Sequence, residues 1–226
     1  MGPVPLVPAA VIFDLDGDGV APGPDEGYAA CNAAANDVPE RGLVGAGTGA
    51  AVGKALGRER ATRGGLGYAT ARLADGKRIA ALAVANAAGD VIGNHGEVIG
   101  GPHGENGELL RTADLIPGME LPDWVARPED STTLACVCTD ASLDKRGCGV
   151  LARMAAAGVA RAVDPVFSPV DGDVVFCLAS GRAPHPPPGL ATSWALSAVG
   201  TVAATVTAKA IRDAVRASKR TEGSGR

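Results

Sequence analysis

One eight-residue run constrains this chain more than any other stretch. Thr132 to Thr139 is built from β-branched, small and apolar residues. A segment rich in proline and charge, Pro122 to Asp130, precedes it, followed by Ser131. Such a run predicts a buried strand entered from a loop. Its neighbours supply the rest of a layered domain. Leu66 to Leu73 and Arg78 to Ala87 predict two strands around the Asp75-Gly76 turn, and Asp173 to Ala179 a further strand. Ser142 is expected to cap a helix running to about Ala162, with Lys145, Arg146, Arg153 and Arg161 leaving one apolar face. Ala191 to Ser218 predicts a long helix, Asp25 to Asn36 a short one, and Val11 to Leu15 a strand. The last third thus reads strand, helix, strand, helix, the pattern of an α/β layered fold.

Composition narrows the function classes. Among 226 residues, aromatics make up only 3% and the net charge is −4, which argues against stacked nucleic acid or an anionic surface as partner. The chain holds 32 glycines, where average usage predicts about 16. Scattered among apolar runs, that excess points to tight turns and close backbone packing. Ala183 to Ala208 carries no Asp, Glu, Lys or Arg, but its Ala, Thr, Ser, Gly and Val content suits a buried helix better than a membrane span. The start of the chain shows no basic, then apolar, leader, and the expected location is cytoplasmic. His95, His103 and His185 lack metal-ligand spacing. The five cysteines are odd in number. Cys136 and Cys138 fall on one side of the central strand and read as small apolar fillers in a reducing compartment.

The chemistry gathers at the start of that strand. A hydroxyl on the first residue of a rigid strand is well held for nucleophilic attack if a base is near. Were the Ser131–Thr132 bond cut, Thr132 would carry its own base, an α-amine whose ordinary pKa is about 7.7–8.0. Asp171-Gly172-Asp173 opens another strand, and the two-residue period puts both carboxylates on one face; the simpler reading is an Asx-type turn. Asn86 ends an apolar strand, where it is either a turn residue or an amide able to donate to an oxyanion. Lys54 follows a glycine-rich segment and is either a solvated cation or a charge beside the nucleophile.

The run Ser-Thr-Thr-Leu-Ala-Cys-Val-Cys-Thr-Asp-Ala (131–141) resembles the processing site of the L-aminopeptidase/D-esterase family of self-cleaving hydrolases, which includes β-peptidyl aminopeptidases and nylon-oligomer hydrolases. Five further runs match in order. They are Val-Pro-Ala-Ala-Val-Ile-Phe-Asp-Leu (7–15), Val-Gly-Ala-Gly-Thr-Gly-Ala-Ala-Val-Gly-Lys (44–54), Gly-Gly-Leu-Gly (64–67), Ala-Asn-Ala-Ala-Gly-Asp-Val (85–91) and Pro-Val-Asp-Gly-Asp-Val-Val-Phe (169–176). The resemblance implies a four-layer α-β-β-α sandwich of the N-terminal-nucleophile type, truncated at its front. It implies a self-cut between Ser131 and Thr132 into an α chain, 1–131, and a β chain, 132–226, which together form one domain. Thr132 would be the nucleophile, Asp171 and Asp173 would tune its amine, and Asn86 and Lys54 would complete the site. Substrates would be short aminoacyl amides or esters, β-peptides or linear oligoamides. No metal or organic cofactor is implied, and αβ units would form a homo-oligomer, with neither nucleic acid nor membrane as partner.

Departures from the pattern define the alternatives. Family members carry a substantial segment, with a Gly-Gly-Ser motif and an aromatic residue, before the Val-Pro-Ala-Ala run. This chain begins at Met1, inside the family's α subunit. Ser131 stands where Asn or Gly is usual, and Phe167 where His is common. One alternative is therefore a non-catalytic remnant acting as a subunit of a longer relative. Another starts from Ile12-Phe13-Asp14-Leu15-Asp16-Gly17, which imitates the strand-borne Asp-x-Asp of haloacid-dehalogenase-type phosphatases, with Asp14 as nucleophile. A calcium loop at Asp14 to Asp25 is broken by Pro22 and Pro24, and the Gly45-x-Gly47-x-x-Ala50 run lacks the acidic residue of a dinucleotide site.

Overall fold

The structure is a computed structural model that describes residues 7–15, 19–120, 131–185 and 189–224, apart from the side chains of residues 190, 191 and 222–224. In chain order the elements are α1 (Pro24–Asn32), β1 (Ala51–Val52), β2 (Thr62–Arg63), β3 (Gly65–Arg72), β4 (Arg78–Asn86), β5 (Asp90–Ile92) and β6 (Val98–Gly100). There follow α2 (Thr112–Leu115), β7 (Thr132–Thr139), α3 (Lys145–Ala160), β8 (Val163–Asp164), β9 (Val174–Ala179) and α4 (Leu190–Ser224). The principal sheet has the order β3-β4-β7-β9, beside a three-stranded sheet, β6-β5-β8, and the small β1-β2 pair. β4 runs antiparallel to its neighbours β3 and β7, whereas β7 and β9 are parallel and joined through α3.

Most elements lie where the residue pattern predicts them. The Asp75-Gly76 turn joins β3 to β4, with Gly76 at φ 91°. Three differences have local causes. Val11–Leu15 is not in a sheet. It is tied down by side chains, with Arg58 donating to Asp14 O at 2.6 Å and Asp14 Oδ2 accepting from Gly49 N at 2.9 Å. α3 is capped by Asp144, whose carboxylate accepts from Gly147 N at 2.7 Å, and the Ser142 hydroxyl instead meets His185 Nε2 at 2.8 Å. The connection expected to be irregular after residue 109 contains α2, and Pro122 to Asp130 lies outside the described residues, as does part of the Pro184 to Pro188 loop.

The sheet has two unlike faces. One carries small residues, Gly67, Ala81, Ala83, Ala85 and Ala135, and is covered by α3 and α4. A Cβ on Gly67 would lie 2.0 Å from Ala210 O of α4, and one on Gly158 of α3 would lie 2.2 Å from Ala204 O. Glycine at these two points lets backbones approach closer than any side chain would permit. By length and composition Thr192–Thr221 could cross a membrane. However, its stripe of Val199, Ala203, Val206, Ala210, Ile211 and Ala214 is buried, the packing of a core helix. The other face carries larger apolar side chains, Leu66, Tyr68, Leu82, Leu134 and Phe176, all half-exposed, and Leu178, which is exposed. Among the described residues, then, the α/β sandwich has one helical layer on its principal sheet.

Beyond the principal sheet, Asp90 is buried at the start of β5, and its carboxylate accepts from Thr112 N at 2.6 Å and from the Thr112 hydroxyl. Burial raises its pKa to about 6, and the hydrogen bonds from Thr112 oppose that rise. A carboxyl with a folded-state pKa above its unfolded value stabilises the fold most when protonated. Its contribution therefore falls as pH rises from about 4 to about 6. Melting curves of the native chain and Asp90→Asn across that window should converge toward high pH from a native advantage at low pH. A second expectation concerns Gly67→Ala. Its methyl must push β3 off α4, costing about 1–3 kcal/mol and lowering Tm by roughly 2–12 °C in a thermal melt.

Candidate active site

Antiparallel pairing of β4 with β7 sets Asn86 opposite Thr132, on the same face. Parallel pairing of β7 with β9 starts both strands at one end of the sheet, so the loop before β9 arrives beside Ser131 and Thr132. There the backbone N–H of Gly172 donates to Ser131 O at 2.8 Å, and the Thr132 hydroxyl lies 2.7 Å from the same oxygen. The carbonyl of the Ser131–Thr132 bond thus accepts two hydrogen bonds while the neighbouring hydroxyl stands against it. Gly172 also leaves room for that hydroxyl, since a Cβ there would sit 2.8 Å from Thr132 Oγ1. Sequence reasoning named both aspartates and passed over the glycine between them. The signal available was its place in the Asp-Gly-Asp turn.

Asp171 and Asp173 brace the loop through different partners. Asp173 accepts from Thr133 N at 2.6 Å and from Phe167 N at 3.1 Å. Phe167 sits at φ 52°, a left-handed conformation unfavourable for a bulky residue, and the Asp173 contact helps to hold it there. Asp171 accepts from Ala88 N at 3.0 Å and from the Ser168 hydroxyl at 2.6 Å. Burial raises the Asp171 pKa, the neighbouring Asp173 charge adds to the rise, and Ser168, Ala88 and the Lys54 charge oppose it. The turn reading describes the contacts of this pair: each aspartate caps backbone or hydroxyl groups, and the loop that carries both meets Ser131 through Gly172 N and Thr133 through Asp173.

Lys54 is not a solvated cation. Its side chain is buried, and Nζ donates to Asn86 O and Asn86 Oδ1, both at 3.0 Å, and to Ser131 Oγ at 3.4 Å. Gly53, at φ 71°, turns the backbone so that Lys54 N meets Ala88 O at 2.9 Å, which steers the side chain inward. Asn86 is fully buried. Its Oδ1 accepts from Ala51 N at 3.1 Å as well as from Lys54, and its Nδ2 donates to Phe13 O at 3.3 Å. The structure thus brings together every residue selected from the sequence: Lys54, Asn86, Ser131, Thr132, Asp171 and Asp173. Asp14 holds Gly49 from an extended segment instead of ending a strand. That overturns the phosphatase alternative, whose nucleophile needs a strand to present it.

A buried hydroxyl, an ammonium, an amide and two carboxylates thus gather around one peptide junction. The structure superimposes on a β-aminopeptidase of a Burkholderia species with a TM-score of 0.57 at 23% identity, covering 85% of this chain and 51% of that one. It also superimposes on an L-aminopeptidase D-Ala-esterase/amidase of Ochrobactrum anthropi, described as a variant of the Ntn-hydrolase fold, with a TM-score of 0.56 at 19% identity over 85% of this chain and 49% of that one. The chain belongs to Peptidase family S58, whose model matches residues 2–226. An uncharacterized aminopeptidase of Mycobacterium tuberculosis is 38% identical over 196 residues, and one of Mycobacterium leprae 35% identical over 201. These cover 82% and 80% of this chain, which spans about half the length of those relatives, 54% and 51%.

The two aspartates should separate in a stability assay. Asp173→Asn turns one amide hydrogen donor toward N–H groups of Thr133 or Phe167 and should cost roughly 1–3 kcal/mol. In Asp171→Asn the Ser168 hydroxyl can rotate to accept, and the penalty of a buried charge disappears, so the melting temperature at neutral pH should stay near that of the native chain.

Proposed function

We propose that this chain is a self-processing amide hydrolase of the aminopeptidase type, with Thr132 as nucleophile. The observation that carries the reading is the pair of contacts on Ser131 O, from the Thr132 hydroxyl at 2.7 Å and from Gly172 N at 2.8 Å. Thr132 Oγ attacks the Ser131 carbonyl carbon. The C–N bond breaks, the hydroxyl proton passes to the departing Thr132 nitrogen, and an ester links Ser131 to Thr132 Oγ. Water then hydrolyses that ester, leaving a Ser131 carboxylate and a free Thr132 amine beside its own hydroxyl. The Gly172 N–H supports the negative charge that develops on Ser131 O during attack, a task worth about 2.7–4 kcal/mol for a well-placed donor. The ammonium of Lys54, next to Ser131 Oγ, adds favourable field at the same junction.

Before cleavage Thr132 is buried, with only 6% of its surface exposed, and Ser131 is part of its cover. Departure of the new Ser131 terminus opens the hydroxyl and amine to a substrate. The amine then acts as base, Asp171 and Asp173 hold and tune it, and the Asn86 amide steadies the substrate oxyanion. Substrates of this reading are short aminoacyl amides or esters, β-peptides or linear oligoamides, cleaved by αβ units without a metal or organic cofactor. The half-length match to its relatives and the open apolar sheet face favour one other reading, a non-catalytic subunit of a longer relative.

Denaturing mass spectrometry of the purified chain should show two polypeptides that meet at Ser131/Thr132, and a single polypeptide in Thr132→Ala. Gly172→Ala should slow the cut by at least about tenfold, because its methyl displaces the hydroxyl while the N–H remains. Processed chain should release p-nitroaniline from aminoacyl-p-nitroanilides. An uncut chain without that activity would favour the subunit reading.

A further inference from the structure

Cys136 and Cys138 depart from the role of apolar fillers. Both are half-exposed on the open face of β7, with their sulfurs 3.9 Å apart. Residues two apart on a paired strand have Cα atoms about 6.6 Å apart and Cβ atoms at a similar spacing. A disulfide needs Cβ atoms within about 3.5–4.5 Å, so β7, held by β4 on one edge and β9 on the other, cannot close one without breaking its ladder. A single ion between the sulfurs needs no such movement. At a metal–thiolate bond of roughly 2.3 Å, two sulfurs lie about 3.8 Å apart in a tetrahedral arrangement and about 4.6 Å apart in a linear one. The observed 3.9 Å lies at the tetrahedral end of that span, so a linear two-coordinate ion requires the sulfurs to part by about 0.7 Å through side-chain rotation, with no movement of the strand.

The surroundings select the kind of ion. The strand neighbours of Cys136 are Leu82 and Phe176, and those of Cys138 are Ala80 and Leu178. No group of three or more His, Cys, Asp or Glu suited to a metal occurs among the described residues, so a third ligand from such a side chain is lacking. Zinc takes four N, S or O ligands, and magnesium and calcium take oxygen, whereas Cu(I) is the soft ion that thiolates select. We propose that Cys136 and Cys138 form a two-thiolate site for a soft monovalent metal ion of the Cu(I) type, on the sheet face that also carries Thr132.

The second pair, Cys148 and Cys177, is different. Cys177 lies on the helix-covered face opposite Val137, and burial raises its pKa to about 12, which keeps it a thiol.

The test is an anaerobic titration of the whole chain with Cu(I) held by bicinchoninate, following the chelator's colour and the thiolate-to-copper absorbance in the ultraviolet. The native chain should draw one Cu(I) from the chelator. Cys136→Ser and Cys138→Ser should each weaken binding by more than the ~100-fold that loss of a supporting hydrogen bond costs a metal site. Cys148→Ser and Cys177→Ser should bind as the native chain does. Retention of all the copper by the chelator, binding that survives in either Cys136→Ser or Cys138→Ser, or equally tight uptake of Zn(II), would overturn the site. Far-UV circular dichroism on each variant separates ligand loss from unfolding, and lost uptake in either strand variant counts for the site only with a native spectrum. The readout is independent of autocleavage.

Discussion

Parallel pairing of β7 with β9 is the constraint from which the candidate site follows. Because the two strands start at the same end of the sheet, the Asp171-Gly172-Asp173 turn has to arrive where Ser131 and Thr132 enter β7. An antiparallel neighbour would bring its far end there instead. The turn then meets the junction with groups of three kinds. A bare backbone N–H reaches Ser131 O, one carboxylate takes Thr133 N and Phe167 N, and the other takes Ala88 N and the Ser168 hydroxyl. Glycine in the middle of the turn is what permits the approach, since any side chain would collide with the Thr132 hydroxyl.

The sheet divides its labour between faces. Ala on one side, with Gly67 of β3 and Gly158 of α3, allows α3 and α4 to pack at backbone distance, and the helix that covers this face is apolar enough to resemble a membrane span. The other side carries the large apolar residues together with Thr132, Asn86 and the Cys136–Cys138 pair, because every second residue of β4 and β7 points there. Among the described residues, the face that carries Thr132 and Asn86 is thus left more open than the one covered by helices. The family's relatives extend to about twice the length of this chain, and the open face is where additional apolar cover would be stabilised most.

Local pattern was strong enough to place β3, β4, β7 and α4, because alternation and helical spacing record burial directly. It misled at Val11–Leu15, an apolar run that has the composition of a strand but no pairing partner among the described residues, and at Ser142, where Asp144 two residues later offered the better cap. It also undervalued Lys54, since nothing local distinguishes a cation turned inward by Gly53 at positive φ from one left in water.

What the sequence alone determined is which side chains are available and on which face each strand presents them, since two-residue alternation is a property of the backbone. The family resemblance of the runs that carry them then singled out Lys54, Asn86, Ser131, Thr132, Asp171 and Asp173. Only the tertiary structure decided their meeting. Lys54 and Ser131 are 77 residues apart along the chain, and the contact between them exists because sheet register, not sequence proximity, sets distance. The same register brought Gly172 onto the Ser131 carbonyl, a contact made by backbone alone and so invisible to any reading of side chains.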